Sequence, residues 1–240
     1  PPPPPTPTPP PPTPTRQVSS AASDVYKRQN NREFSENFPS HVRDLIAWVT
    51  NGDLLEGHPF GRLKAQPISD TSPEIWMLGT SNYGAQLAAY LGIPYCYAYF
   101  ITEGHGMSES IKNYKENFKP SKFLNKPKVN VCLWALASDD DEKAEYLFSS
   151  RAYWKIARNY GELDTLKSPK DALSKLNENN WMSEFKNMIS SSIVGSYETV
   201  KNKINSIKDD NDFDELTILT WCHDEKERIN SYKIFSELIN

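Results

Sequence analysis

The stretch "PEIWMLGTSNYGAQLAAYLGIPYCYAYF" occupies residues 73–100 and holds a strand, a turn, a helix and a second strand without a break. An apolar run ends at Gly79, a segment with helical spacing ends at Gly92, and a second apolar run starts near Tyr95. This order predicts a βαβ unit, which joins two parallel strands by a right-handed crossover. The apolar stripe of the helix is predicted to consist of Tyr83, Leu87 and Tyr90 with Leu91.

Further apolar runs extend this pattern along the chain. The predicted strands are residues 74–79, 95–100, 129–137 and 216–221, and helical segments follow them at residues 82–92, 108–118, 139–161 and 223–239. Additional helices are predicted at residues 39–50, 168–188 and 197–208. Because the strands are apolar on both faces or nearly so, we expect parallel strands that are covered on both sides.

Repeated βα units favour two architectures of the α/β class. Four such units are half of a TIM (β/α)8 barrel, which is the predicted fold. The alternative is an open doubly wound sheet. In both architectures ligands bind at the carboxyl ends of the strands.

The overall composition excludes some classes of partner. The chain has 240 residues and a net charge of −4, which argues against nucleic acid or an anionic membrane as an obligatory partner. No apolar run approaches the roughly 20 residues that a membrane span needs. The cysteines Cys96, Cys132 and Cys222 show no metal-ligand spacing, and two of them lie inside apolar runs. We therefore expect no metal site and a cytoplasmic location.

The first 29 residues are predicted not to belong to the fold. Eleven of the 19 prolines lie in the first 15 residues, and proline cannot donate to a helix or a sheet. A Pro-rich docking arm or linker is one interpretation. The favoured interpretation is translated non-coding or cloning sequence joined to a truncated gene, so the body is expected to span residues 30–240.

The turn after the first strand is the leading candidate for a binding site. Gly79 lets a ligand approach the backbone, Thr80 and Ser81 carry hydroxyl groups, and Gly84 leaves the first helical turn uncovered. A helix N-terminus has free N–H groups and a partial positive charge, which suit a phosphate. The alternative is purely structural, with Ser81 or Asn82 as the helix cap and the glycines serving the turn.

Five segments of the chain form a familiar series: "IWMLGTSNYGAQLAAYLGIPYCYAYF", "YKENFKPS", "SDDDEKA", "IVGSYETV" and "DELTILTWCHDEKERINSYKIFSELI". Together they resemble the luciferase-like flavin monooxygenases, and the resemblance covers residues 30–240 in the right order. Thr80 stands where serine is common in that family, and Gly84 stands where serine or alanine is common.

The resemblance implies a TIM barrel that binds reduced flavin mononucleotide (FMN), or a deazaflavin in some branches. The match covers the family's second half, so the chain is expected to hold about the last four βα units, residues 30–240 being the C-terminal part of the barrel domain. The catalytic residues would then lie in the absent N-terminal half. The cofactor-binding residues implied are Leu78, Gly79, Thr80, Ser81 and Gly84.

The implied function is a flavin-dependent oxidoreductase, a monooxygenase that uses reduced flavin and O2 on a small organic substrate. A flavin reductase is the expected supplier of reduced flavin, and a homo-oligomer is the expected assembly. The alternative is a non-catalytic flavin-binding protein or an inactive fragment.

Other candidate residues have structural explanations beside the functional ones. His105 lies in a glycine-flanked loop after the second strand, where it could contact flavin or substrate or be merely solvated. Cys222 is interpreted as structural. The acidic run at residues 139–142 is interpreted as a helix start. Glu103, Asp214 and Glu215 are not expected to form a metal site with the histidines.

Overall fold

The computed structural model describes residues 32–162 and 164–239, with side chains from residue 37 to residue 238. These residues divide into two compact units. The division falls between Pro73 and Glu74 in the sequence, and each unit is described by itself below. The predicted extra segment at residues 1–29 lies outside the described residues.

The first unit is built on helix α1 (Arg32–Val49), which begins before the predicted residue 39 and contains Pro39. The segment that follows is held to this helix and to itself by polar contacts. His58 Nε2 lies 3.2 Å from Asp44 Oδ2, and Asn51 Nδ2 donates to the Ser69 carbonyl at 3.0 Å.

The second unit alternates strands and helices. Its strands are β1 (Met77–Gly79), β2 (Tyr95–Tyr97), β3 (Val129–Ala137), β4 (Ile193–Gly195) and β5 (Glu215–Leu219). Its helices are α2 (Asn82–Leu91), α3 (Tyr99–Thr102), α4 (Met107–Asn117), α5 (Asp141–Asn159), α6 (Pro169–Glu178), α7 (Met182–Ser191), α8 (Tyr197–Asp210) and α9 (Glu225–Ile239). In the part of the chain that the structure describes, no helix is both long enough and apolar enough to cross a membrane.

The five strands form one parallel sheet, as the sequence predicts. β1 pairs with β2, β2 pairs with β3, and β3 pairs along its length with β5 and at its end with β4. The strands β1, β2, β3 and β5 therefore lie side by side in chain order, and β4 pairs with the end of β3. A doubly wound sheet would reverse its order at a switch point, so the alternative fold is not supported. Sequential order is the arrangement that neighbouring strands have in a (β/α)8 barrel.

Most predicted elements are present, with some changes at their ends. β3 has the predicted bounds. β1 begins at Met77, three residues later than predicted, and β2 ends at Tyr97, because residues 99–102 turn into α3 instead of extending it. The predicted helix at 168–188 is two helices, separated by Asn180 in a left-handed conformation with φ of 61°. β4 was not predicted, because three residues are too few for a periodicity.

Helices cover the outer face of the sheet and form its core there. The outer face carries alternate strand residues that are all buried. The Tyr95 ring on β2 packs against Tyr114 of α4 at 5.5 Å, and the Tyr114 hydroxyl donates to the Ile93 carbonyl at 3.0 Å. From α9, the Ser231 hydroxyl accepts a bond from the Ala137 backbone N–H. The outer-face residues are Met77, Tyr95, Tyr97, Val129, Val131, Leu133 and Ala135.

The inner face of the sheet is partly open in the described structure, as is expected for half of a (β/α)8 barrel, whose helices cover the outer face. Leu78 on this face is 55% exposed, and Leu219 of β5 is also exposed. Sequential right-handed crossovers place the crossover helices on one side of the sheet. On the other side α5 covers the carboxyl end, where Arg151 lies over Trp134 and Leu136 is buried among side chains of α5, α6 and α7. Polar side chains also lie on this face. Cys96 Sγ is 3.3 Å from Asn130 Oδ1, and Asn130 Nδ2 donates to Thr217 Oγ1 at 2.9 Å.

The predicted apolar stripe of α2 is also wrong in part. Leu87 is buried, but Tyr83 is 52% exposed and Tyr90 is 61% exposed. The buried side is instead lined by Ala85, Ala88 and Ala89, together with Leu87. Small side chains let α2 approach its neighbour α4 closely, so the helix turns its alanines inward and its tyrosines outward. Gly92 ends the helix in a left-handed conformation, as predicted.

The acidic run starts helices, as the sequence predicts. Asp140 is the N-cap of α5 and accepts from the Lys143 N–H at 2.7 Å. Asp141 accepts from the Ser196 N–H at 2.6 Å and so holds the start of α8 as well. A side chain at Gly195 would clash there, because its Cβ would lie 2.7 Å from Asp141 Oδ1.

Replacing Asp141 by alanine should destabilise the protein by about 1 kcal/mol near neutral pH, because α8 loses its capping acceptor. The bonds from Ser196 and Thr199 hold the pKa of Asp141 below its usual value. Its contribution is therefore present above the unfolded pKa of about 3.9 and is lost as the pH falls through the lower folded pKa. Denaturant titrations of both proteins between neutral and acidic pH would measure the difference. Exposed Glu142→Ala is the matched control, and an equal loss there would contradict the capping role.

The two faces of the sheet should respond differently to truncation. Leu133→Ala on the outer face should cost about 2 to 5 kcal/mol, because it leaves a cavity in a packed core. Leu78→Ala on the open face should change the free energy of unfolding by no more than about 0.5 kcal/mol. Urea denaturation of both variants tests this. A large cost at Leu78 would mean that another layer covers the inner face.

Candidate functional site

The end of β1 is held in place by two hydrogen bonds to one carbonyl group. The Gly79 oxygen accepts from the Ala98 N–H at 3.1 Å and from the Tyr95 hydroxyl at 3.2 Å. Both donors belong to the neighbouring strand β2 or its end. The turn that follows therefore starts from a rigid point at the carboxyl edge of the sheet.

The two hydroxyl groups of the turn have different roles. Ser81 is the N-cap of α2, and its hydroxyl accepts from the Gly84 N–H at 3.3 Å. Ser81 thus caps the helix, which was the structural alternative to a ligand-binding role. The Thr80 hydroxyl, in contrast, has no hydrogen-bond partner among residues 37–162 and 164–238. Thr80 is half-buried and remains available to a ligand.

The turn also leaves space next to its backbone. A Cβ atom built on Gly79 would have no heavy atom within 4 Å, and one on Gly84 would meet only Ser81 Oγ, at 3.8 Å. Leu78 lies beside the turn on the open inner face. The structure thus brings together all five residues of the predicted cofactor site: Leu78, Gly79, Thr80, Ser81 and Gly84.

Asn82 connects the start of α2 with the start of α4. Its Nδ2 donates to Glu109 Oε1 at 2.6 Å, and its Oδ1 accepts from the Ser110 hydroxyl at 3.2 Å. The side chain is therefore occupied by this connection, so Asn82 is not the cap that the sequence allowed as an alternative. The link holds the two helices in register beside the turn.

Aromatic side chains form a second feature at the carboxyl edge. The Trp221 ring lies between Trp134, at 5.1 Å, and Trp154, at 4.9 Å between ring centroids. Phe100 packs on Trp134 at 5.5 Å. These four residues, from β3, α3, α5 and the segment after β5, are called the tryptophan cluster below.

Charged residues lie next to the tryptophan cluster. The Arg151 guanidinium lies 3.6 Å above the Trp134 ring centroid, and the side chain is only 4% exposed. Burial lowers the pKa of Arg151 to about 9, although the charge of Glu103 opposes that change. Lys155, one helical turn further along α5, forms an ion pair of 3.0 Å with Glu103.

Glu103 is held by an unusual loop. It ends α3 in a left-handed conformation with φ of 54° and ψ of 34°, and its N–H donates to the Tyr99 carbonyl at 2.7 Å. Partial burial by itself would raise the pKa of Glu103. Hydrogen bonds from Ser191 and Lys155, with the charges of Lys155 and Arg151, outweigh burial and lower it. Glu103 is therefore a fixed negative group.

The remaining sequence candidates are placed as follows. His105 is exposed and borders an open hollow of about 610 Å³ between its own loop and the end of α8. Its carbonyl accepts from the Tyr97 hydroxyl at 2.5 Å. Cys222 is buried in the core, and burial raises the pKa of its thiol, which agrees with a structural role. The surroundings of His105 thus include no member of the tryptophan cluster among the described contacts.

The three carboxylates considered for a metal site have separate partners. Asp214 accepts from the Val129 N–H at 2.7 Å, Glu215 pairs with Lys128 at 2.8 Å, and Glu103 pairs with Lys155. Within the described residues no group of three or more metal-ligating side chains converges.

Comparison with known proteins decides the family. The sequence profile of the luciferase-like monooxygenases matches residues 51–210, which is more than half of the chain. The chain belongs to the luciferase-like monooxygenase family. The predicted resemblance is thereby confirmed.

Individual relatives agree with this family. The chain is 30% identical over 201 residues to a luciferase-like monooxygenase of Escherichia coli (strain K12), covering 83% of this chain and 58% of that protein. It is 29% identical over 226 residues to the uncharacterized protein YwcH of Bacillus subtilis (strain 168), covering 92% and 64%. The chain thus spans about three-fifths of the length of these relatives.

A solved structure agrees with the fold. The crystal structure of apo-MsnO8 matches with a TM-score of 0.73 and 21% identity, covering 91% of this chain and 64% of that one. The arrangement of strands and helices described above is therefore a fold found in solved structures of known proteins.

The sequence did not predict the tryptophan cluster or its charged neighbours as a site. One signal was present. Arg151 and Lys155 follow Ala144, Leu147 and Phe148 at helical spacing, so a charged residue occupies a position where an apolar one is expected. A buried arginine on an apolar stripe needs a reason in the tertiary structure.

Proposed function

We propose that this chain is part of a flavin-dependent monooxygenase and that the turn between β1 and α2 binds the phosphate of the flavin. The observation that carries the proposal is the Thr80 hydroxyl, which is unpaired within the described residues and stands beside open backbone at a helix start. Membership of the luciferase-like monooxygenase family supports the choice of a flavin over other phosphate-bearing ligands.

The residues present fit a phosphate group. The first N–H groups of α2 have no acceptor within the helix, and its N-terminus carries a partial positive charge. The absence of a side chain at Gly79 leaves room for phosphate oxygens to reach the backbone. Thr80 would donate its hydroxyl to the phosphate, whereas Ser81 would act mainly by capping the helix and shaping the turn.

The bound flavin would supply the redox chemistry with O2, and the chain would supply position and shelter from water. Strands β1 and β3 are two strand spacings apart, about 10 Å, so the flavin ring system would extend from the turn towards Trp134. Leu78 would line this path on the inner face. The tryptophan cluster offers an apolar surface for a small organic substrate.

FMN is the proposed flavin, and a deazaflavin is the alternative, since both carry a phosphate. A separate flavin reductase would deliver reduced flavin to the site. The expected homo-oligomer and the cytoplasmic location stay predictions of the sequence.

Thr80→Ala should weaken FMN binding by about 1.5 to 3 kcal/mol, because a hydrogen bond to a charged phosphate is lost. Riboflavin, which lacks the phosphate, should bind both proteins equally. Anaerobic titrations of the reduced flavins, followed by fluorescence, would measure the four affinities. A deazaflavin titrated in parallel would decide between the two cofactors.

Thr80→Ser is the matched control, because it keeps the hydroxyl and should keep most of the affinity. Equal affinities of wild type and Thr80→Ala for FMN would remove the phosphate assignment. Tight FMN binding without flavin-dependent O2 consumption on any organic substrate would favour the alternative of a non-catalytic flavin-binding protein.

A further inference from the structure

Arg151 is a buried cation without a hydrogen-bonding partner among the described residues. Its side chain is 4% exposed, and Nε makes no hydrogen bond in the described part of the chain. No hydrogen bond or ion pair to its other nitrogens is found among residues 37–162 and 164–238 either. The guanidinium instead faces the rings of Trp134, at 3.6 Å, and Phe148, at 5.3 Å.

Such an arrangement is unfavourable unless something compensates for it. Burying a charge is costly when it is neither paired nor hydrogen-bonded, and guanidinium groups can donate five hydrogen bonds in a fixed plane. Stacking on tryptophan offsets part of the cost but satisfies no donor. The donors of Arg151 would be satisfied by a planar anion that accepts two of them side by side.

The neighbouring charges leave a positive surplus at this place. Arg151 and Lys155 contribute two positive charges and Glu103 contributes one negative charge. The Lys155 and Glu103 side chains are 22% and 30% exposed, so this end of the group is open to solvent, whereas Arg151 is almost fully buried. An incoming anion would therefore meet Lys155 first and Arg151 behind it.

We propose that Arg151, assisted by Lys155, binds the carboxylate of a small aromatic acid whose ring packs on the tryptophan cluster. This inference rests on the proposed function, because it names the substrate class of the same site. A carboxylate matches the fork of the guanidinium, and the four rings of the cluster match a flat apolar body. Glu103 holds Lys155 in place and repels an anion from its own side.

The first test uses the unaltered 240-residue chain and two probes of equal shape. Benzoate carries the carboxylate, and benzamide replaces it with a neutral amide. Quenching of tryptophan fluorescence and the shift of melting temperature report binding. Benzoate should bind at least about tenfold more tightly than benzamide, an energy difference of about 1.4 kcal/mol. Equal binding of the two probes would overturn the proposal.

Variants then assign the preference to Arg151. Arg151→Met keeps the length and the apolar stem and should abolish the preference for benzoate, whereas Arg151→Lys should keep part of it. Arg158→Met is the matched control, because Arg158 also lies over a tryptophan, Trp154 at 5.5 Å, but is exposed. If Arg151→Met does not fold, Lys155→Met should still reduce the preference. An unchanged preference in folded Arg151→Met, or in Lys155→Met in its place, would refute the assignment.

Two further measurements separate this proposal from the flavin site. Thr80→Ala should bind benzoate as the wild type does, and Arg151→Met should keep its affinity for FMN to within about threefold. If the unaltered chain prefers benzoate but does not bind FMN, the proposed function alone is removed. If the unaltered chain binds FMN but shows no preference for benzoate, only the aromatic-acid proposal is removed. Benzenesulfonate carries a non-planar anionic group. If it binds as tightly as benzoate, the site does not select a planar carboxylate, and the proposed pairing with the guanidinium fork is wrong.

Discussion

Strand β3 is the element on which the rest of the second unit depends. Its nine residues pair with β2 and β4 at their respective ends and with β5 along the middle, so three strands take their register from one backbone. Alternation along β3 sends Leu133 into the helical core and Trp134 to the inner face. A slip of one residue would exchange these faces, burying the polar Asn130 under helices and removing Trp134 from its cluster.

The one-sided cover of the sheet follows from this pairing order. Strands that follow one another in chain order, joined by right-handed crossovers, place their helices on the same side. The outer face then forms a closely packed apolar core, whereas the inner face carries polar and aromatic side chains. Its amino end carries the bonded group of Cys96, Asn130 and Thr217, and its carboxyl end carries the tryptophan cluster. Burial on the inner face raises the pKa of the Cys96 thiol to about 12, so this cysteine is a poor nucleophile.

Two kinds of anion recognition would lie side by side at the carboxyl edge. The proposed site at Gly79 would use backbone N–H groups and a helix dipole, which suit a phosphate with several oxygens around one centre. Arg151 would use a planar fork against an aromatic ring, which suits a flat carboxylate. Because the two proposed sites differ in shape and in the residues that form them, each would be altered without the other.

The sequence by itself determined the alternation of strands and helices except at α3 and β4, the parallel sheet, a cap of α2 at Ser81 or Asn82, and the end of α2 at Gly92. These features depend on local patterns: apolar runs, capping residues and a turn at the end of a strand. The family was indicated by the resemblance of several segments to the luciferase-like flavin monooxygenases. Half of a barrel is expected to expose its inner face, but only the tertiary structure decided that α5 covers the carboxyl end of that face. It also decided that α2 buries its alanines and not its tyrosines, because a neighbouring helix sets that choice. The group of Glu103, Arg151 and Lys155 depends most on the tertiary structure. Glu103 and Lys155 lie 52 positions apart in the sequence, and the folding of α5 over the strand ends brings them to 3.0 Å.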